Sequence, residues 1–170
     1  SSNLERLLYH ITNDATKVKS YMEKLQSTGC YQVDEATLKA IQETFSAGYL
    51  DDSATKKCIH DIYQQDNYVA DTHTAVAWQV AQDYQKSTQD KTPMIILSTA
   101  SPYKFSDSVL SALGEDISDK DEFALLDKLS TLNKDKIPQG LAQLQSLPIL
   151  HNNLCAKEDM IKAVNTFLNI

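Results

Sequence analysis

The chain has 170 residues, of which 42% are hydrophobic and 23% charged, a balance typical of a globular domain with a substantial core. Its net charge is −7, with 16 basic and 23 acidic residues and no basic stripe, so neither nucleic acid nor an anionic membrane is expected as a partner. No apolar run approaches the roughly 18 residues that cross a bilayer.

Apolar residues recur three and four positions apart through the first half of the chain, which predicts a series of amphipathic helices. Asp14, Asp34 and Asp51 stand where three of them should begin, because aspartate is a favoured N-cap residue. Gly29 and Gly48 stand where two should end. The residues expected on buried faces are Leu4, Leu7, Leu8, Ile11, Val18, Met22, Leu25, Leu38, Ile41, Phe45, Ile59, Ile62, Tyr63, Val76, Ala77, Val80, Ala81 and Tyr84.

The segment from Pro93 to Thr99 has a different pattern, a short continuous apolar run with proline at its edge. Such a run predicts a strand buried on both faces, as in a parallel sheet covered by helices. A buried strand needs hydrogen-bonding neighbours, and the chain offers no second run of comparable quality. The sequence therefore predicts part of an α/β domain, mostly helical, with one main buried strand at about 93–99 and its neighbours supplied by another segment or chain.

The last third of the chain again predicts helices. Ser101 and Pro102 are an N-cap and a first helical residue, and Gly114 closes that helix. An acidic linker over residues 115–122 contains the capping-box pattern Ser118-x-x-Asp121. Leucines at 125, 126, 129 and 132, a short helix after Pro138 and a last helix with Met160, Val164, Phe167 and Leu168 follow.

Three cysteines, at positions 30, 58 and 155, are far apart and odd in number. This usage favours reduced, buried thiols in a cytoplasmic protein over a disulfide framework. Cys58 and His60 form one C-x-H pair, but metal sites usually carry two closely spaced ligand pairs, so we expect no metal site.

The carboxyl end of the predicted strand is the natural place for a ligand, because ligands gather there in α/β sheets. Residues 98–104 supply hydroxyls, backbone N–H groups and the Lys104 ammonium. Contact with a ligand and simple helix capping by Ser101 remain equal alternatives on this chemistry. His73, at a predicted helix start, has no nucleophile partner at a recognisable spacing, which favours a hydrogen bond to backbone over catalysis.

Four short stretches together resemble one enzyme family. Residues 71–76 (D-T-H-T-A-V) are similar to the D-P-H-T-A-V stretch of bacterial and fungal threonine synthases, and residues 97–105 (L-S-T-A-S-P-Y-K-F) to their L-x-T-A-H-P-x-K-F motif. Residues 2–8 (S-N-L-E-R-L-L) resemble their S-N-x-E-R-L-L, and residues 45–48 (F-S-A-G) match a further stretch. Thr72 replaces the family's proline, and Ser101 its histidine. The resemblance is good over residues 1–114 and looser beyond.

The resemblance implies a pyridoxal-phosphate (PLP) enzyme of fold type II that converts O-phospho-L-homoserine and water to L-threonine and phosphate. By motif position Thr99, with Ser98 as the alternative, is the hydroxyl that meets the cofactor ring nitrogen. Lys104, Asn3 and Arg6 are implied substrate-binding residues, although an ion pair with Glu5 or another acid on a helix face is an alternative for Arg6. Residues 1–114 then belong to the PLP-binding domain, and residues 115–170 to a helical tail packed on it.

The family's Schiff-base lysine and its glycine-rich loop have no match in this chain, so we assign no catalytic residue. The resemblance implies the C-terminal part of an enzyme that is inactive alone, does not retain PLP and has the missing N-terminal segment as its partner. A stand-alone, non-catalytic binding or regulatory module is the alternative. Exposed apolar surface discriminates the two, because a fragment should leave the edge of the predicted strand bare.

Overall fold

Nine α-helices and three 3₁₀ turns make up the regular structure of the computed structural model over residues 1–118 and 121–170, the residues that it describes. Asp119 and Lys120 of the predicted acidic linker lie outside them. The helices are α1 Ser2–Thr12, α2 Ala15–Thr28, α3 Glu35–Gln42, α4 Asp52–Asp66, α5 Thr72–Thr88, α6 Ser106–Ala112, α7 Glu122–Leu132, α8 Gln139–Ala142 and α9 Met160–Leu168. The 3₁₀ turns are Pro102–Phe105, Leu144–Ser146 and Lys157–Asp159.

The chain divides into two units. The first comprises Ser1–Cys58 and His73–Thr99, and the second Ile59–Thr72 and Ala100–Ile170. The backbone therefore passes from one unit to the other three times. The predicted division at residue 114 concerns the domain of a complete enzyme and stays a prediction.

The core of the first unit is built where α1 packs against α2 and α3. Leu8, Val18 and Tyr21 are buried there, and Met22, Tyr31, Val33 and Ile41 pack around them. Tyr31 stacks on the Tyr21 ring at a centroid distance of 5.4 Å. The helical spacing of Leu8 and Val18 predicted this core correctly.

Aspartate caps fix the starts of these helices as the sequence predicted. Asp14 accepts a hydrogen bond from the backbone N–H of Lys17 at 3.0 Å, and Asp34 one from that of Thr37 at 3.0 Å. The Asp34 carboxylate also accepts from the Tyr21 hydroxyl at 2.9 Å and pairs with the Lys17 ammonium at 2.6 Å. These bonds, the one from Lys17 first, hold the pKa of Asp34 well below its usual range.

Close packing joins α5 to two other parts of the first unit. The Cys58 thiol donates to the carbonyl of Ala75 at 3.3 Å, and both residues are buried. A Cβ atom built on Gly48 would lie 2.9 Å from each γ carbon of Val80, so the chain approaches α5 here more closely than a side chain allows.

In the second unit α6 packs against α7. Val109, Leu110 and Leu129 are fully buried, with Leu125 and Leu126 nearly so. Asp121 is the N-cap of α7 and accepts from the backbone N–H of Phe123 at 3.0 Å. The predicted capping box is wrong in its first member, because the Ser118 hydroxyl instead donates to Asp116 at 3.0 Å.

The predicted buried strand at about 93–99 is absent from this structure. Residues 93–99 have no regular secondary structure, and the side chains of Ile95 and Leu97 are 89% and 70% exposed. No strand occurs anywhere in residues 1–118 and 121–170. The physical reason is the one that the sequence raised: a strand needs hydrogen-bonding neighbours, and the described part of the chain provides none.

Some predicted buried faces are also exposed. α3 ends at Gln42 rather than near Gly48, and Phe45 beyond it is 48% exposed. Leu38 is 43% exposed because α3 buries Thr37 instead and directs Ile41 to the core. Ala77 of α5 is exposed, whereas the neighbouring Ala75 is fully buried. Over the described residues, no helix is both long and apolar enough to span a membrane.

Candidate functional site

The start of α5 carries the first of the two motif segments. Asp71 directly precedes the helix and is only 1% exposed, an unusual burial for a carboxylate. Thr74, in the first turn, is 3% exposed, whereas His73 beside it is exposed. Asp71 and Thr74 are therefore the polar residues of the stretch 71–76 whose side chains are buried in the fold.

A hydrogen bond between two hydroxyls joins this helix start to the second motif segment. The Thr74 hydroxyl donates to the Ser98 hydroxyl oxygen at 3.2 Å, and both residues belong to the first unit. Two stretches that lie 24 residues apart in sequence thus meet in space. This hydrogen bond holds the Ser98 side chain near the end of the 93–99 segment.

Thr99 is the last residue of the first unit and is exposed. Its hydroxyl makes no hydrogen bond to any residue that the structure describes, whereas the hydroxyl of Ser98 is held by Thr74. A neutral hydroxyl donates and accepts hydrogen bonds and is a suitable partner for a heteroaromatic nitrogen. The hydroxyl groups of residues 98–99 can therefore hydrogen-bond an uncharged ring nitrogen.

Residues 101–105 lie near the start of the second part of the second unit, Ala100–Ile170. Their cap is the one that the sequence predicted. Ser101 is the N-cap of the 3₁₀ turn Pro102–Phe105, and its hydroxyl accepts from the backbone N–H of Tyr103 at 3.3 Å. Ser101 therefore caps the turn in the position where family members carry histidine.

Lys104 is exposed on the same turn and lines a cavity of about 740 Å³ within the second unit. Asp107 and Glu122 are the other charged residues of its lining. Its walls are apolar, with side chains that include Phe105, Phe123 and Leu126. An ammonium at the edge of an apolar cavity can attract an anionic group, and the two carboxylates oppose such binding.

Tyr103 anchors this turn. Its side chain is 4% exposed, and its hydroxyl donates to the carbonyl of Asp135 at 2.6 Å. Burial raises the pKa of the Tyr103 phenol, and the nearby side chain of Asn133 opposes the shift in part. The phenol therefore acts as a neutral donor that ties the turn to the segment after α7.

Asn3 and Arg6 lie on α1 and are exposed. The Arg6 guanidinium donates to the Asn3 side-chain oxygen, so the two predicted residues are brought together on the helix surface. Across the described part of the chain, neither makes a hydrogen bond or ion pair to Ser98 or Thr99. Arg6 is thus engaged by Asn3 rather than by Glu5.

Sequence reasoning missed the role of Thr74 in this arrangement. The residue lay inside a recognised stretch, but threonine in a first helical turn is common and gives no sign of a distant partner. Only the fold reveals the contact with Ser98. Among the residues that the structure describes, no group of three or more His, Cys, Asp or Glu side chains is arranged to hold a metal ion.

Comparison with known proteins places the chain in a family. A family model described as threonine synthase, C-terminal, matches residues 74–164, more than half of the chain. Threonine synthase-like 1 of Homo sapiens is 36% identical over 158 residues, which are 91% of this chain and 19% of that protein. Threonine synthase of Saccharomyces cerevisiae is 30% identical over 166 residues, 86% of this chain and 29% of that protein.

A solved structure gives the same result. The PLP-bound threonine synthase from Brucella melitensis superposes on 99% of this chain with a TM-score of 0.67 and 29% identity, over 31% of its own length. The chain thus spans less than a third of the length of each of these relatives. From its α5 motif to its last helix, the chain belongs to the threonine synthase C-terminal family.

Proposed function

We propose that this chain is the C-terminal part of a threonine synthase of PLP fold type II, which converts O-phospho-L-homoserine and water to L-threonine and phosphate. The observation that carries the proposal is the superposition of nearly the whole chain on the PLP-bound Brucella melitensis enzyme. The four motif stretches, in family order, support the same reaction.

The cofactor, when bound, supplies the electron sink that stabilises negative charge on the substrate carbon. In this chain the Thr99 hydroxyl would hydrogen-bond the ring nitrogen, with Ser98 as the alternative donor. Thr99 is the better candidate because its hydroxyl makes no hydrogen bond to the described residues, whereas the Ser98 hydroxyl is held by Thr74. A carboxylate would keep that nitrogen protonated, whereas a neutral hydroxyl need not, and this would moderate the stabilisation of negative charge on the substrate carbon.

The proposed substrate-binding residues are Lys104 of the second unit and, separately, Arg6 and Asn3 of the first. Lys104 is exposed on the 3₁₀ turn at the end of the 97–105 motif and supplies one ammonium. Arg6 and Asn3 supply a guanidinium and an amide that are already paired on α1. Arg6 can bind a phosphate while it keeps one N–H on Asn3, because a guanidinium has five donors.

The remaining parts of the active site lie in the N-terminal segment of the parent enzyme. That segment supplies the Schiff-base lysine, the glycine-rich loop and the strands that pair with residues 93–99. The bare side chains of Ile95 and Leu97 support this proposal, because an apolar segment gains stability by pairing in a sheet. The 170-residue chain alone neither retains PLP nor turns over.

The same exposed segment argues against a stand-alone regulatory module, which would be expected to cover its apolar edge. The enzyme is cytoplasmic in this proposal. None of the three cysteines is in a disulfide with a described residue, which is consistent with a reducing compartment, although only Cys58 is buried as the sequence predicted.

The test is phosphate release from O-phosphohomoserine by the complete reading frame that contains this chain, with PLP supplied. Thr99→Ala should weaken retention of PLP roughly tenfold, the loss of one hydrogen bond of about 1.4 kcal/mol, and should lower activity. Ser98→Ala is the matched control and should change PLP retention less. Retention of PLP is read from cofactor absorbance after dialysis, independently of turnover.

Two outcomes would contradict the proposal. The complete protein would release no phosphate and form no threonine, or the 170-residue chain alone would keep, through dialysis, a PLP imine that maps to one of its own lysines. A larger effect of Ser98→Ala than of Thr99→Ala would reverse the assignment of the two hydroxyls.

A further inference from the structure

The C-terminal helix α9 lies almost entirely in solvent although it is strongly apolar. Five large side chains of its nine residues are more than half exposed, and α9 buries none of its residues. They are Met160 at 57%, Ile161 at 76%, Val164 at 52%, Phe167 at 75% and Leu168 at 55%. Within the described residues its main packing partner is the 3₁₀ turn Lys157–Asp159, which directly precedes it.

These apolar residues form one stripe. They occupy positions 160, 161, 164, 167 and 168, whereas Lys162, Asn165, Thr166 and Asn169 occupy the opposite side. A stripe of this kind is the pattern of a helix that rests with one face on a protein surface. A helix of only nine residues is marginal in water by itself, so α9 needs that surface to be stable.

The segment before α9 has the same character. Leu147, Ile149, Leu150 and Leu154 are between 57% and 98% exposed, and they are followed by α9 without an intervening buried residue. Residues 147–168 thus carry nine large apolar side chains that are more than half exposed, and we call this set the C-terminal apolar surface. Its extent is far beyond that of the isolated apolar side chains on an ordinary protein surface.

We infer that the C-terminal apolar surface docks on the N-terminal segment of the parent enzyme, with the α9 stripe in a groove of that segment. The inference rests on the proposed function for the existence of the parent. The Brucella melitensis enzyme supports it, because 99% of this chain, and hence most of α9, superposes on that enzyme. The matched part is only 31% of the Brucella melitensis polypeptide. The other two thirds of such a polypeptide provide the surface that this chain lacks.

The charges favour a protein groove over a membrane. Interfacial membrane helices carry many lysines or arginines on their polar face, and the polar face of α9 carries only Lys162 within a chain of net charge −7. Asparagine and threonine at the other polar positions suit a solvent-facing side of a docked helix.

Hydrogen exchange of the α9 amides tests the docking. In the complete polypeptide they should exchange about 100-fold or more slowly than in the 170-residue chain, where α9 has no partner surface. Protection of α5 is the internal control, because that helix has packing of its own in the first unit. The readout does not involve turnover, so a protein without threonine synthase activity but with a protected α9 would refute the proposed function and leave the docking in place.

Two substitutions in the complete polypeptide separate the apolar stripe from the polar face. Val164→Asp should abolish the protection of α9 and leave that of α5. Asn165→Asp, one residue along and with the same carboxylate, should leave both unchanged. Equal effects of the two substitutions would overturn the inference.

Three further results would also overturn it. The first is equal protection of the α9 amides in the 170-residue chain and in the complete polypeptide. The second is protection that rises with the concentration of the 170-residue chain, which would indicate docking on a second copy. The third is a reading frame that encodes no N-terminal segment.

Discussion

Gly48 makes a sharp test of packing in the first unit. A Cβ atom at this position would lie 2.9 Å from both γ carbons of Val80 and 3.4 Å from its Cβ. Valine fills two of its three staggered γ positions, and both filled positions collide here, so every rotamer leaves at least one collision. The strain therefore moves into the backbone, and Gly48→Ala should destabilise the chain by about 1–3 kcal/mol.

Val80→Ala should remove this penalty, because it deletes both γ carbons and leaves an ordinary contact at 3.4 Å. The double variant should be no less stable than Val80→Ala alone, since a tolerated Gly→Ala change stabilises by about 0.4–1 kcal/mol. Urea unfolding followed by the fluorescence of Trp78, the one tryptophan, measures all four corners of the cycle.

Gly140→Ala is the control, because a Cβ at Gly140 meets nothing within 4 Å. It lies inside α8, where alanine is the better helix former, so the variant should match or exceed the parent in stability. Close packing of Gly48 on Val80 would be contradicted if Gly48→Ala behaved like Gly140→Ala, or if Val80→Ala left the destabilisation by Gly48→Ala unchanged.

Three further predictions concern polar contacts. Thr74→Val keeps the shape of the side chain but loses the bond to Ser98, and should cost about 1 kcal/mol in urea unfolding, whereas Thr74→Ser should cost less. The pKa of Asp34 is lowered on folding, chiefly by Lys17, so its stabilisation is complete above pH ~4 and is lost as the pH falls. Unfolding curves of Asp34→Asn should therefore vary less with pH in that acid range than those of the parent. Burial raises the pKa of Tyr103, so stability should fall as the pH rises past about 10, and Tyr103→Phe should remove that alkaline dependence.

The local part of the fold was predictable from the sequence. Asp14 and Asp34 cap their helices, Gly29 ends α2 with a left-handed φ of 77°, and Leu8 and Leu129 are buried as their spacing predicted. Each of these features depends on residues within a few positions of one another. Short-range chemistry of that kind can be read without knowledge of the fold.

The missing strand shows a feature that local sequence cannot predict. Residues 93–99 have the composition of a buried strand, but the formation of a strand depends on distant neighbours rather than on its own residues. The exposure of α9 has the same origin, because periodicity predicts a helix and its apolar face but not what covers that face.

For the candidate site, sequence and structure contribute different residues. Motif position selected Ser98 and Thr99, and the structure adds Thr74 as the residue that holds Ser98. Sequence could not supply that contact, because it joins residues that come together only when the chain folds. The roles of Thr99, Lys104, Asn3 and Arg6 toward cofactor and substrate stay predictions.

The three passages of the backbone between the two units restrict how this region can be inherited. Neither unit is one stretch of sequence, because the second includes residues 59–72 from between the two parts of the first. A recombination point at residue 99 would follow the last residue of the first unit. It would nevertheless separate residues 59–72 from the rest of the second unit, to which they belong. The region is therefore expected to pass between genes as a whole, and its two units to diverge together rather than as exchangeable modules.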